Sequence, residues 1–340
     1  LKKILIAGAN GFVGKNLIEA LSGDAEIGIH ALVRSEAKGS LLPSSVKRIT
    51  GDLLKENSLG NTGDYDAAFY LVHGLKDKDA DFEYQESKAA VNFSRWMKRV
   101  GCKKIIYLGA LGPESDESPH LRSRHLVGKI LALSGIPVLE FRASIVIGAG
   151  SASFEMIKAL SERLPFSPDF RKIENLCQPI ALSDLMLYLK AALEWSESDS
   201  RILEIGGEDQ ISYSGLMKLY LKNTRRAKKT FKVPSVDDRV FKKLLDLVIP
   251  EMADVGKKLY DSLIHETTVK SRDALTVFPQ IRPASCVAAM AKAVQESFTS
   301  YPPLWEKDML KFLIREKLVH PQELTDWIFV KLKKNPLSAD

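Results

Sequence analysis

Three glycines stand in Gly8-Ala9-Asn10-Gly11-Phe12-Val13-Gly14, between an apolar run (Lys2–Ala7) and a segment with Val13, Leu17, Ile18 and Leu21 at helical spacing. A glycine-rich turn from a strand into a helix lets a pyrophosphate approach backbone amides at the positive end of the helix dipole. Glycines alone are weak evidence; a strand before them and a helix after them supply the context that makes the motif specific. The chemistry expected of Gly8, Asn10, Gly11, Phe12, Val13 and Gly14 is therefore dinucleotide binding.

The next apolar run, Ile27–Val33, bears on which dinucleotide. An acidic residue about 20 residues beyond such a loop grips the 2′-hydroxyl of NAD. Here the run ends in Ala31-Leu32-Val33-Arg34-Ser35. An arginine cannot accept a hydroxyl hydrogen, but it pairs with a 2′-phosphate. NADP(H) is expected over NAD(H). Gly51-Asp52-Leu53 closes a third strand candidate, Val46–Thr50. Asp52 suits the adenine amino group and Leu53 the ring; the same Asp52 suits an N-cap for a helix beginning at Leu54.

The elements that must hold these residues alternate. Further strands are expected at Ala67–Val72, Lys103–Leu108 and Pro137–Ile147, with helices at Ala80–Val100 and Leu121–Ser134 between them. Strands separated by helices of this length form βαβ units. Right-handed crossovers then give an α/β, doubly wound parallel-sheet Rossmann fold. Later segments read as helices at Phe154–Arg163 and Leu182–Trp195, a strand at Arg201–Ile205, and a mostly helical remainder. The expected organisation is a Rossmann core over 1–150 and its remaining elements over 151–210. A smaller helical substrate lobe follows over 211–300, then a helical extension over 301–340.

Composition narrows the classes. With 45% hydrophobic and 27% charged residues the chain is globular, and no run approaches the ~18 apolar residues of a membrane span. Cys102, Cys177 and Cys286 have neither disulfide nor metal-site spacing, and no metal is expected. The opening LKKILIAGANGFVG leads into the glycine motif rather than a cleavage site, so a cytoplasmic location is expected. The net charge of +6 is concentrated from Lys218 onward, where 23 Lys and Arg face 15 Asp and Glu. Without interleaved aromatics a solvated face or phosphate-attracting rim is expected, with a polyanion or membrane surface as the alternative, and no nucleic acid.

Several segments together resemble the atypical and extended short-chain dehydrogenase/reductase superfamily, with the NmrA-like and nucleoside-diphosphate-sugar epimerase branches nearest. They are the glycine loop, Val33-Arg34, Gly51-Asp52-Leu53, Tyr70–His73, Ile106-Tyr107-Leu108-Gly109, Ser134-Gly135-Ile136-Pro137 and Phe141–Gly148. Gln178-Pro179-Ile180 with Asp184 resembles a late element of the same group. The resemblance implies that Leu71, Val72, His73, Leu108, Gly109, Ala143, Ser144 and Ile145 line the cofactor. It also implies a Ser, Tyr and Lys catalytic set, from which this chain departs. The lysine position, 18 residues before Arg142, is Arg124. The tyrosine position is His120, and Gly109-Ala110-Leu111 offers no serine. Arg124 can hold a ribose but cannot relay a proton. His120 is expected to titrate near neutrality and to act as the acid. His125 and Lys129 repeat the spacing five residues later, ~500° round the helix and so about 140° off that face; His125 is expected to be solvated.

Three functions follow. The first is an NADPH-dependent oxidoreductase of a small or lipophilic carbonyl or quinone-type substrate, itself unidentified. The second is a non-catalytic NADP-binding sensor or assembly factor, and the third a sugar-nucleotide epimerase or dehydratase.

Overall fold

A computed structural model describes residues 1–61, 63–73, 82–114, 118–164, 167–169, 174–226, 230–232, 238–263, 265–297 and 315–316. The helix pair expected in the last forty residues lies outside them, apart from Arg315 and Glu316.

In chain order the first elements are β1 (Lys2–Ala7), α1 (Phe12–Leu21), β2 (Ile27–Val33), α2 (Glu36–Gly39), β3 (Lys47–Thr50) and β4 (Ala67–Tyr70). They are followed by α3 (Phe82–Arg99), β5 (Ile105–Ala110), α4 (Pro119–Ala132), β6 (Val138–Ala143), β7 (Val146–Ile147) and α5 (Ala152–Arg163). Next come β8 (Ser167–Asp169), β9 (Leu176–Cys177), β10 (Ile180–Ala181), α6 (Leu182–Ala191), β11 (Arg201–Ile205) and β12 (Ile211–Ser212). The last are α7 (Tyr213–Asn223), β13 (Thr230–Lys232), α8 (Asp238–Val248), α9 (Ala253–Leu263), α10 (Asp273–Val277) and α11 (Cys286–Glu296).

Seven strands form one parallel sheet in the order β11-β6-β5-β4-β1-β2-β3. Side chains alternate between its faces. Ile4, Ile6, Phe69, Ile106 and Phe141 pack with α1 and α6 on one side. Leu5, Ala7, Tyr70, Tyr107 and Val138 meet Phe93, Trp96 and Met97 of α3 and Val127 and Leu131 of α4 on the other. Both faces are covered, as a parallel sheet requires, and the chain is an α/β Rossmann protein with a helical C-terminal region. A third apolar cluster joins α5, α7, α8 and α11 through Phe154, Leu216, Leu245 and Met290.

The sheet reverses its winding between β1 and β4, and the crevice at such a switch point is where α/β folds place ligands. One departure from expectation shapes that crevice. Pro137–Ile147, read as a single strand, is two: β6 stays in the sheet, while β7 leaves it to pair with β10. Ser144 and Ile145 therefore form a corner beyond the sheet edge. The strand expected to reach Val72 ends at Tyr70, and the helix expected from Leu54 is only a short 3-10 turn at Glu56–Ser58.

Candidate functional site

The glycine loop is dictated by close contacts. Gly8 has φ +91°, and a Cβ there would stand 2.5 Å from the Leu71 carbonyl oxygen. At Gly14 a Cβ would stand 2.3 Å from the Gly8 carbonyl oxygen, so α1 packs against its own loop. Gly11 begins α1 without a side-chain cap, no acidic residue lies in the first turn, and the Asn10 Oδ1 is buried without a partner. The first-turn amides, with Phe12 and Val13 among them, have no intrahelical acceptor. A loop that is free of side-chain bulk, rich in unsatisfied donors and holds an orphaned oxygen suits a dinucleotide pyrophosphate. Gly8, Asn10, Gly11, Phe12, Val13 and Gly14 would hold it.

Arg34 is exposed at the end of β2, ahead of Ser35, whose hydroxyl caps α2. It has no partner among the described residues and is available to an anion. Asp52 Oδ1 accepts from the Leu54 amide at 3.0 Å, while Ser58 Oγ accepts from the Asp52 amide. Asp52 thus closes a turn rather than capping a helix. Leu53 is buried, and its carbonyl accepts from Asn92 Nδ2 at 2.6 Å.

The far side of the crevice is a buried polar cluster at the ends of β4 and β5. His73 Nδ1 lies 3.1 Å from Glu86 Oε1, and the Ser123 hydroxyl donates to Glu86 Oε2. Burial lowers the His73 pKa, with Arg124 adding to the effect. His73 is therefore neutral, and Nδ1–H donates. Burial alone would raise Glu86, but the His73 and Ser123 hydrogen bonds and the Arg124 charge outweigh it and hold the carboxyl well below the usual range. Arg124 donates to the carbonyls of Val72, at 3.2 Å, and Leu108, and its guanidinium lies over the Tyr107 ring at 4.9 Å. It fixes the ends of two neighbouring strands. Gly109 lies beneath, where a Cβ would meet Glu140 Oε1 at 2.9 Å; Glu140 itself pairs with Arg142 at 2.7 Å.

His120 enters in the first turn of α4, after the Ser118 cap and Pro119. Its ring stacks on His73 with centroids 4.8 Å apart and planes 21° apart, and Nδ1 has no partner. The expectation that it titrates near neutrality fails. Burial, reinforced by His73 and Arg124, lowers its pKa to about 3, and the helix N-terminus also opposes a positive charge. His120 is a neutral imidazole, able to donate or accept a hydrogen bond but not charged near pH 7. Because the folded value lies below the unfolded one, neutral His120 contributes stability that is complete above about 6.5 and declines as pH falls toward 3. We expect its ring protons to show no NMR titration between pH 5 and 8; a midpoint inside that window would refute the assignment. His125, expected to be solvated, is buried, with Nε2 3.1 Å from the Ala110 carbonyl oxygen.

Beside His120 a cavity of about 60 Å³ opens at the C-terminal ends of β5 and β6. Ala143, Ser144 and Ile145 line it, as do Leu111, Met156 and Ile157. The sequence reading missed Tyr213, Leu259 and Thr267, which complete the wall from α7, α9 and the chain that follows α9. Only the Ser212 cap, which fixes Tyr213 in the first turn of α7, hints at one of them. A wider groove of about 980 Å³, lined by Leu54, Ser58, Tyr84, Lys88 and Arg95, contains none of the predicted site residues.

Residues 8–133 match the family model described as NAD(P)H-binding. The chain shares its fold with solved reductases and nucleoside-diphosphate-sugar epimerases, in keeping with its sequence resemblance to the atypical short-chain dehydrogenases/reductases. It is similar to the triphenylmethane reductase of Citrobacter sp. (15% identity, TM-score 0.68, 86% of this chain and 99% of that one). A complex of that reductase with NADP(H) gives 16% identity and TM-score 0.67 over 87% and 100%. Similar too is the UDP-glucuronic acid 4-epimerase of Bacillus cereus in complex with NAD (16% identity, TM-score 0.62, 86% and 97%). No curated protein matches the chain. No helix of the described residues is long and apolar enough to cross a membrane, and they contain no cluster of metal-ligating side chains.

Proposed function

We propose that the chain is an NADPH-dependent oxidoreductase of a small or lipophilic carbonyl or quinone-type substrate. The cavity at the ends of β5 and β6 carries this reading. Its lining is apolar apart from His120 and a few hydroxyls, without a single charged side chain. A sugar nucleotide would bring a diphosphate, which needs cations or free amides; a neutral carbonyl needs neither. Bound NADPH supplies the hydride. The chain's part is to hold it with the glycine loop, cover the crevice with α9, exclude water and offer hydrogen bonds to the substrate oxygen. His73, fixed by Glu86, sets the plane on which His120 stacks. Residues 1–150 serve as the cofactor core, 151–210 complete it and 211–300 form the substrate lobe.

Arg34 favours the 2′-phosphate because it is exposed, lacks a partner and stands where an acid would select NAD. Arg34→Ala is expected to weaken NADPH binding ~10-fold or more, the scale of one charge-assisted contact, and to leave NADH nearly unchanged. Fluorescence titration with both nucleotides checks this, and equal wild-type affinities would refute the preference.

A second reading, a nucleotide-occupied sensor without turnover, has one observation in its favour. Arg124 is committed to two backbone carbonyls, and His120, the imidazole in the cavity wall, is held neutral near pH 7 by burial. NADPH that binds but is never consumed across a panel of ketones, enones and quinones would support it over the first.

A further inference from the structure

The chain lacks the serine and tyrosine that the family resemblance implies at the end of β5 and in α4, yet the cavity holds another set of hydroxyls. Ser144 Oγ lies 2.6 Å from Thr267 Oγ1, although the two are 123 residues apart. The Tyr213 side chain stands in the same cavity wall as this pair. All three line the cavity, and Tyr213 and Thr267 are almost wholly buried. They come from three places: the corner where β6 leaves the sheet, the first turn of α7, and the segment after α9.

We infer that the Ser144–Thr267–Tyr213 hydroxyl trio is the binding site for the substrate's oxygen, with Tyr213 as the donor that turns toward it. The inference rests on the oxidoreductase reading and names the group that polarises the carbonyl in it. Each hydroxyl has one hydrogen and two acceptor lone pairs. The Ser144–Thr267 bond uses one of the three hydrogens internally, and each oxygen keeps at least one lone pair. A carbonyl that enters the cavity draws one hydrogen out of the trio. An alcohol in the same place donates to a free lone pair, so one site serves both oxidation states. Burial in an apolar wall raises the Tyr213 pKa far above its ordinary value; the hydroxyl therefore keeps its hydrogen at any working pH. A cavity of about 60 Å³ is the space of roughly two waters. It accommodates the carbonyl head of a small molecule and leaves the remainder to face the cofactor crevice. The surrounding Leu111, Met156, Ile157 and Leu259 offer a polar oxygen no partner, so hydrogen bonds in the cavity come from the trio, His120 and Ser153.

The probe is [1-13C]acetamide, a small carbonyl that accepts hydrogen bonds and is not reduced by a dihydronicotinamide. Its affinity and its labelled carbonyl stretch are measured on the full chain, with and without NADPH, for wild type and for Tyr213→Phe, Thr267→Val and Ser144→Ala. The expected result is saturable binding to wild type and about tenfold weaker binding to Tyr213→Phe, the scale of one hydrogen bond to an unfilled acceptor. The bound carbonyl stretch should rise in frequency in that variant, a signature that a packing defect does not produce. Thr267→Val and Ser144→Ala should give smaller changes in the same direction. No binding to wild type, or an identical affinity and stretch in Tyr213→Phe, would overturn the inference. Failure of NADPH to bind would instead remove the oxidoreductase reading, because the probe judges the trio with or without nucleotide.

Discussion

Gly14→Val is expected to abolish dinucleotide binding and to destabilise the fold by about 3 kcal/mol or more, the scale of overpacking at a backbone contact. The first Cβ atom alone would sit 2.3 Å from the Gly8 carbonyl oxygen and 2.8 Å from the Ala9 Cα, neither of which is the end of a flexible side chain. Either α1 moves away from β1 or the loop opens, and each outcome withdraws the amides on which a pyrophosphate depends. Leu17, Ile18 and Leu21, buried against the sheet on the same helix, would follow it outward. Urea unfolding with and without NADPH checks both parts. A variant that binds NADPH with wild-type affinity would show that the loop is a structural turn and not a ligand cradle.

Glu86→Gln is the second large effect. The carboxylate is buried and accepts from His73 Nδ1 and the Ser123 hydroxyl. An amide has one acceptor oxygen, so one donor would face an NH₂ group in a buried site. The expected cost is about 2–3 kcal/mol, as when one partner of a buried polar pair is removed. The pH dependence has a definite sign. The folded pKa of Glu86 lies below its ordinary value of 4.5. The carboxylate therefore contributes stability that is present in full above that value and lost as pH falls through the lower, folded one. The stability of wild type should fall more steeply than that of the variant below about pH 4.5, when both are followed by urea midpoints. Parallel curves would mean that Glu86 titrates alike in both states. Since His73 carries His120 on its face, His120 should also lose its fixed orientation, with a change in its ring-proton NMR shifts.

The N-terminal strands and helices were legible because their signals are local. A strand, a glycine loop and a helix follow one another within about twenty residues, and the strand Arg201–Ile205 is bounded by its own turn residues. Register counting from Arg142 also brought His120 to the crevice, although not in the protonation state its type suggests. That error is one of environment: a pKa depends on burial and neighbours, and the neighbour His73 arrives from another strand. His125 was misjudged for the same reason. α4 buries two of its faces, and the Ala110 carbonyl that satisfies His125 belongs to β5. The division of Pro137–Ile147 was hidden because no glycine or proline inside the run marks a change in pairing partner. Tyr213 and Thr267 carry no motif. Only the path of the chain after β6 places them beside Ser144.

That path has an evolutionary consequence. The cofactor loop and the polar cluster at the ends of β4 and β5 lie before residue 145, whereas Tyr213, Leu259 and Thr267 follow it by dozens of residues. Recombination or drift confined to the stretch from residue 213 onward can therefore replace most of one wall of the cavity and leave the glycine loop untouched. Change in the cavity can proceed there without first disturbing that loop.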